Sequence, residues 1–131
     1  MCVFCNIAQG IWDSKKVYED DDVLAILDLS QATKGHTLVI PKKHYANILK
    51  IDKDEYMKVM EKVKIVSEKL YIKLKPEGFN ILNNCGEVAG QTVNHFHVHI
   101  IPRYDEKDIN ISFTDHSNDY NLDDVLAEIN K

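Results

Sequence analysis

The sequence has no apolar run approaching the roughly 20 residues that a bilayer-spanning helix needs. Its opening residues, MCVFCNIAQG, lack the basic region and long apolar stretch of a secretory leader. It contains no internal repeat, no low-complexity tract and no linker rich in Gly, Ser or Pro; five glycines and three prolines are spread over 131 residues. Cysteine is scarce too. Three of them (Cys2, Cys5 and Cys85) make an odd count, which in a reducing compartment speaks against a disulfide framework and leaves Cys2 and Cys5 open to metal. A net charge of -5 argues against a broad electrostatic grip on nucleic acid, though not against one nucleotide held in a local pocket. These absences imply a cytoplasmic protein with neither membrane nor nucleic acid as partner.

What is present suits a single domain over residues 1–131, with 44% hydrophobic residues to build its core. VLAILDLS (23–30) is short and apolar after the acidic turn EDDD and reads as a buried strand. GHTLVIPKKH (35–44) reads as a second strand, stopping at Pro41. From Ile51 to Leu74 the apolar residues Tyr56, Val59, Met60, Val63, Val66 and Leu70 recur at spacings of three and four, the stripe of a long helix. Asp52 and Glu55 form a capping-box pattern at its start, and Pro76 and Gly78 end it. FNILNN (79–84) is a third strand, Gly86 and Gly90 bracket a loop, and Asn94–Ile101 is a fourth strand closed by Pro102. Beyond Arg103 the chain is a polar tail, 104–131, with Asn110–Phe113 as a short edge strand and Asp119–Ile129 as a short helix. The pattern is α+β: an antiparallel sheet, one long helix and short flanking helices.

Half of the six histidines lie in NHFHVHIIPR, at positions 95, 97 and 99. In a strand these share one face, and Phe96, Val98 and Ile100 point the other way into the core. An ordinary solvent face would mix Thr, Lys, Glu and Ser. One ion held by all three rings would need severe bending, since the outer two Cα atoms of an extended strand are roughly 13 Å apart. Neutral imidazole is a good nucleophile near pH 7, provided one ring nitrogen keeps its proton on a fixed acceptor and the other presents its lone pair. A row of imidazoles beside a glycine-containing loop suits chemistry at a phosphoryl group.

The run HFHVHII resembles the His-x-His-x-His-x-x signature of the histidine-triad (HIT) superfamily. DLSQATKGHTLVIPKKH, GQTVNHFHVHIIPR and the N-terminal C-x-x-C resemble its Hint-type branch, in matching order over about residues 2–103. The resemblance implies a HIT-like fold with its core in 1–103, and hydrolysis or transfer at an α-phosphate through a covalent nucleotidyl-histidine. It implies His97 as nucleophile, His99 as the holder of phosphate oxygens, and His36 as the histidine that orients the cluster. Thr92 matches a hydroxyl position near the leaving group, with a plain β-branched strand residue as the alternative. Asp28 matches the acid that binds ribose hydroxyls and Leu29 its neighbour beside base or sugar. Asn84 matches a polar contact near the phosphate, with Asn83 as its rival. Backbone N–H groups near Gly90 and Gln91 are expected to line the phosphate site. Phe4, Ile7, Ile26 and Leu29 are candidate walls of an apolar slot for a purine base.

Cys2-x-x-Cys5 offers two thiolates, and no second C-x-x-C supplies the other pair. The resemblance supplies His44 and His95, making a closed Cys₂His₂ structural zinc site. It implies no catalytic metal, and a twofold homodimer. The activity it implies is that of a purine nucleoside phosphoramidase releasing a nucleoside monophosphate. Dinucleoside polyphosphate hydrolysis, nucleotide-dependent regulation with little turnover, and metal handling by the histidine row are the rival readings.

Overall fold

The computed structural model describes residues 2–131. Its centre is a five-stranded sheet in the order β1-β2-β3-β5-β4: β1 Lys16–Glu19, β2 Val23–Leu27, β3 Thr37–Pro41, β4 Gly78–Leu82 and β5 Val98–Arg103. Every neighbouring pair is antiparallel. The fold is thus the expected α+β type. β2 and β3 are continuous apolar runs because both faces of the sheet are covered. On one face Val23, Ala25, Val39, Val98 and Ile100 pack against Val59, Val63, Val66 and Leu70 of the long helix α2, Lys53–Leu74. On the other, Leu24, Ile26, Leu38 and Ile40 pack with Phe4 from the short helix α1, Val3–Ala8.

Helix α2 starts as its sequence requires. The Asp52 side chain accepts from the Glu55 N–H, Asp54 and Glu55 occupy the positive end of the helix, and Lys73 occupies the last turn. It stops where Lys75 turns left-handed (φ 55°), just before Pro76. Four apolar side chains on its buried stripe each contribute about 1.5–3 kcal/mol of transfer free energy.

β5 follows β4 in the chain yet lies between β3 and β4, so His99 sits inside the sheet rather than at its edge, with His95 and His97 leading into it. That strand begins at Val98, not Asn94, and runs through Pro102 to Arg103. The residues before it are held by other bonds: the Phe96 N–H donates to the Tyr45 carbonyl (2.6 Å) and the Asn83 side-chain amide to the His97 carbonyl (2.8 Å). β1 carries too weak an apolar pattern to be read from sequence, and the other strands are shorter than expected. Asn110–Phe113 forms no strand; the segment lies exposed without a pairing partner. The last helix, α3, is Leu122–Ile129, capped by Asn121 on the Asp124 N–H. Among the described residues no helix is long and apolar enough to cross a membrane.

Candidate active site

The alternation expected around the histidines holds: Phe96, Val98 and Ile100 enter the α2-side core, and the imidazoles lie on the other face with Phe4. The three rings do not form a straight row. The bend before Val98 turns His95 toward the two N-terminal cysteines, while His97 and His99 stay together with ring centroids 5.1 Å apart.

The hydrogen bonds decide which ring nitrogen is free on each histidine. His97 Nδ1 lies 2.7 Å from the His95 carbonyl oxygen, which only accepts. Nδ1 therefore carries the proton, and Nε2 presents a lone pair. Phe4 packs edge-on against this ring at 5.0 Å. Burial holds the His97 imidazolium below its ordinary pKa, opposed by the His95 carbonyl and the Asp28 carboxylate. A buried, neutral imidazole with a fixed Nδ1 proton meets the requirements of a nucleophile.

His36 is fixed in the opposite sense. The Ala32 N–H donates to His36 Nδ1 (3.2 Å), so the ring proton lies on Nε2 and is donated to His99 Nδ1 at 2.9 Å. That leaves the His99 proton on Nε2. Burial, and then the neighbouring His97 and His36, push His99 down to about 4. His99 thus adjoins His97, and His36 reaches the pair through its bond to His99. Asp28, just past the end of β2, joins them: its Oδ2 is 3.6 Å from His36 Nε2 while its Oδ1 accepts from the Ser30 N–H. Leu29 next to it is 96% exposed, an apolar side chain offered to solvent beside the site.

The loop from Gly86 to Val93 is organised by Gln91. Its side chain accepts from the Gly86 N–H and donates to the Ala46 and Val93 carbonyls. The main-chain N–H groups of Gly90 and Gln91 are bonded within the loop, to the Glu87 and Gly86 carbonyls, so these two residues shape it. Gly90 takes a positive φ of 98°, and a Cβ there would meet the Asn84 amide at 3.4 Å. Asn84 donates to the Gly90 carbonyl, and Asn83 holds the His97 backbone. Thr92 is exposed and lines a polar cavity of about 380 Å³ with Asn47, Gly86, Glu87, Gln91 and Asn94.

The second cluster is Cys2, Cys5, His44 and His95. The two sulfurs are 3.0 Å apart, each sulfur lies 3.3–3.6 Å from both Nδ1 atoms, and those atoms are 3.2 Å apart. Bonds of about 2.3 Å to sulfur and 2.0–2.1 Å to nitrogen give tetrahedral edges close to these separations, except that the sulfurs sit closer together. His95 Nε2 faces the Pro41 carbonyl at 2.8 Å and must donate, so its Nδ1 lone pair faces the thiols. Burial pushes His95 down to about 4, which keeps that lone pair free. Burial and adjacent Cys2 push the Cys5 thiol up to about 11; a divalent cation would reverse that cost. The donor set fits zinc.

Sequence reading missed Gln31, whose side chain ties the Asp28–His36 loop. It also gave Asn83 only a rival's place. No spacing rule announces either, since each acts on a backbone group of a residue distant in the chain or across a turn.

The fold and site together define a small α+β domain that carries a histidine cluster beside a thiol-imidazole group. The HIT domain profile matches residues 9–106, and the chain belongs to the HIT family. It is 49% identical to a HIT-like protein of Methanocaldococcus jannaschii over 98% of both chains. It superposes on the crystal structure of a HIT family protein from Bacillus anthracis with a TM-score of 0.91, at 43% identity over 98% of this chain and 92% of the other. More distant relatives include the adenosine 5'-monophosphoramidase of Schizosaccharomyces pombe (38% identity, 81% of this chain and 77% of that protein). They also include a zinc-bound histidine triad protein from Mycobacterium smegmatis (TM-score 0.79, 34% identity, 89% and 86% coverage).

Proposed function

We propose that this protein is a nucleotide hydrolase acting at the α-phosphate, with a purine nucleoside phosphoramidate as substrate. The observation that carries the reading is the His97 hydrogen bond: Nδ1–H on the His95 carbonyl leaves the Nε2 lone pair unprotonated, which is the form a nucleophilic imidazole needs. Nε2 attacks phosphorus as the P–N bond to the leaving amine breaks, and the Thr92 hydroxyl relays to the departing nitrogen a proton drawn from solvent. Water then attacks the phosphorus of the nucleotidyl-His97 and releases the nucleoside monophosphate. His99 Nε2–H stabilises the charge on a non-bridging oxygen. Asp28 accepts from the ribose diol, and Phe4, Ile26 and Leu29 offer apolar contact to the base. The S. pombe relative's activity supports this substrate class.

Cys2, Cys5, His44 and His95 would hold a zinc ion, which fills all four positions with protein ligands and so supplies rigidity rather than a bound water. The zinc-bound M. smegmatis relative supports this part. Dimerisation across β4 is favoured by an unpaired edge strand whose Ile81 and Leu82 are exposed, with Tyr71 and Ile72 of α2 exposed as well. The exposed apolar residues of the tail, Phe113, Leu122, Leu126 and Ile129, suit the same association.

The test is turnover of adenosine 5'-phosphoramidate by the full chain and by His97→Asn. Loss of at least a thousandfold in kcat with retained binding of adenosine monophosphate supports the proposal. Unchanged turnover defeats it. Faster turnover of a diadenosine polyphosphate than of the phosphoramidate would assign the rival leaving group.

A further inference from the structure

The loop that joins β2 to β3 carries Asp28 at one end and His36 at the other, and one side chain spans it. Gln31 Nε2 donates to the Asp28 carbonyl (2.6 Å) and to the His36 carbonyl (2.8 Å), while its Oε1 accepts from the Gly35 N–H (2.8 Å). All the polar atoms of the amide are engaged. The next residue is Ala32, whose N–H makes the bond to His36 Nδ1. Around this clamp the loop is fixed to the end of β5: Thr33 Oγ1 donates to the Pro102 carbonyl and the Tyr104 hydroxyl to the Lys34 carbonyl. Gly35 completes the turn at φ 92°, where a Cβ would lie 2.5 Å from a Leu74 methyl.

We propose that Gln31 is a positioning residue that holds the Ala32 N–H on His36 and thereby sets the proton-bearing nitrogens of His36 and His99. This rests on the nucleotidyl-transfer reading and deepens it. The chain of constraint is chemical. A backbone N–H only donates, so His36 Nδ1 has to accept and Nε2 has to carry the proton. His99 Nδ1 then has to accept, and the only proton left on that ring is on Nε2, the one available to a phosphoryl oxygen. Without the clamp the Ala32 N–H is free to swing to water. His36 then samples the other tautomer, in which Nε2 and His99 Nδ1 no longer need to face each other as donor and acceptor. The same amide fixes the carbonyl of Asp28, so both ends of the site lose definition together.

Gln31 is itself exposed, so its replacement leaves the buried core untouched. The experiment compares the full-length chain with Gln31→Ala and with Gln31→Met, which keeps length and volume but none of the three hydrogen bonds. Adenosine 5'-phosphoramidate is the substrate, and ¹⁵N imidazole NMR reads the tautomers without turnover. Both variants are expected to lower kcat about tenfold, the size of one net hydrogen bond lost at the transition state, with KM changed less than twofold. In both, the His36 Nδ1 resonance should move from the unprotonated range toward a tautomer average, in chains that remain folded at the assay temperature. Wild-type kcat and an unmoved His36 spectrum in Gln31→Ala would overturn the proposal, as would full activity in Gln31→Met. If His97→Asn keeps turnover, the reading of the reaction fails instead, and the NMR comparison still decides the role of Gln31.

Discussion

At the scale of single residues the chemistry depends on where ring protons sit, and burial favours the neutral form of His97 and His99. His99 is pushed down to about 4 from an ordinary 6.5, and His97 is lowered in the same direction. Each takes up a proton in the unfolded chain at higher pH than in the folded one. Their contribution to stability is therefore complete above about pH 6.5 and is lost as pH falls from there toward 4. Thermal melts across this range should show a falling midpoint, and the acid limb of kcat should lie below 6.5; an acid limb centred at or above it would contradict neutral rings. Asn83 holds the carbonyl of His97, the proposed nucleophile. Asn83→Ala should cut kcat about three- to tenfold and leave KM nearly unchanged in steady-state assays. The residues of the candidate site were legible in the sequence: five of the six histidines, the cysteine pair and Asp28 fall into two clusters. Gln31 was not, because an amide that bonds to main chain leaves no periodic or compositional mark.

At the scale of elements, helix α2 shows the strongest agreement between pattern and structure, since a 3.6-residue period over six turns has few other solutions. Its stripe is also where a substitution should act on stability alone. Leu70→Ala removes a side chain that is 5% exposed in the α2-side core, and it should lower the free energy of unfolding by about 2–4 kcal/mol in urea titrations. The kcat of the folded fraction should not change, because the imidazoles lie on the opposite face of the sheet. The histidine strand was less legible. Its alternation correctly separates core from site, yet the ladder begins only at Val98. The bend that sends His95 to the cysteines depends on the carbonyls of Pro41 and Tyr45, more than forty positions away, and local pattern cannot contain it. β1, at four residues, and the unpaired segment at Asn110–Phe113 fail for the related reason that short apolar runs are settled by tertiary partners.

At the scale of the whole molecule, a zinc ion held by Cys2, Cys5, His44 and His95 would tie the N-terminal helix to the segment that carries the proposed nucleophile. His95 serves both clusters: its Nδ1 faces the thiols and its carbonyl accepts the His97 proton. Protein purified with zinc available should hold about one ion per chain by elemental analysis. Cys5→Ser should lower that content and the melting temperature, while turnover well below the melt persists at a reduced rate. Complete loss of activity on chelation from a still-folded chain would instead indicate a catalytic ion. The most direct measurement of the central claim is to mix the full chain with adenosine 5'-phosphoramidate, quench within milliseconds, and locate bound nucleotide by mass spectrometry of peptides spanning Asn94–Arg103. An adenylyl group on His97, absent from His97→Asn, is the predicted result. Product formation at the normal rate with no adduct on that imidazole, or with the adduct on His95 or His99, would contradict it.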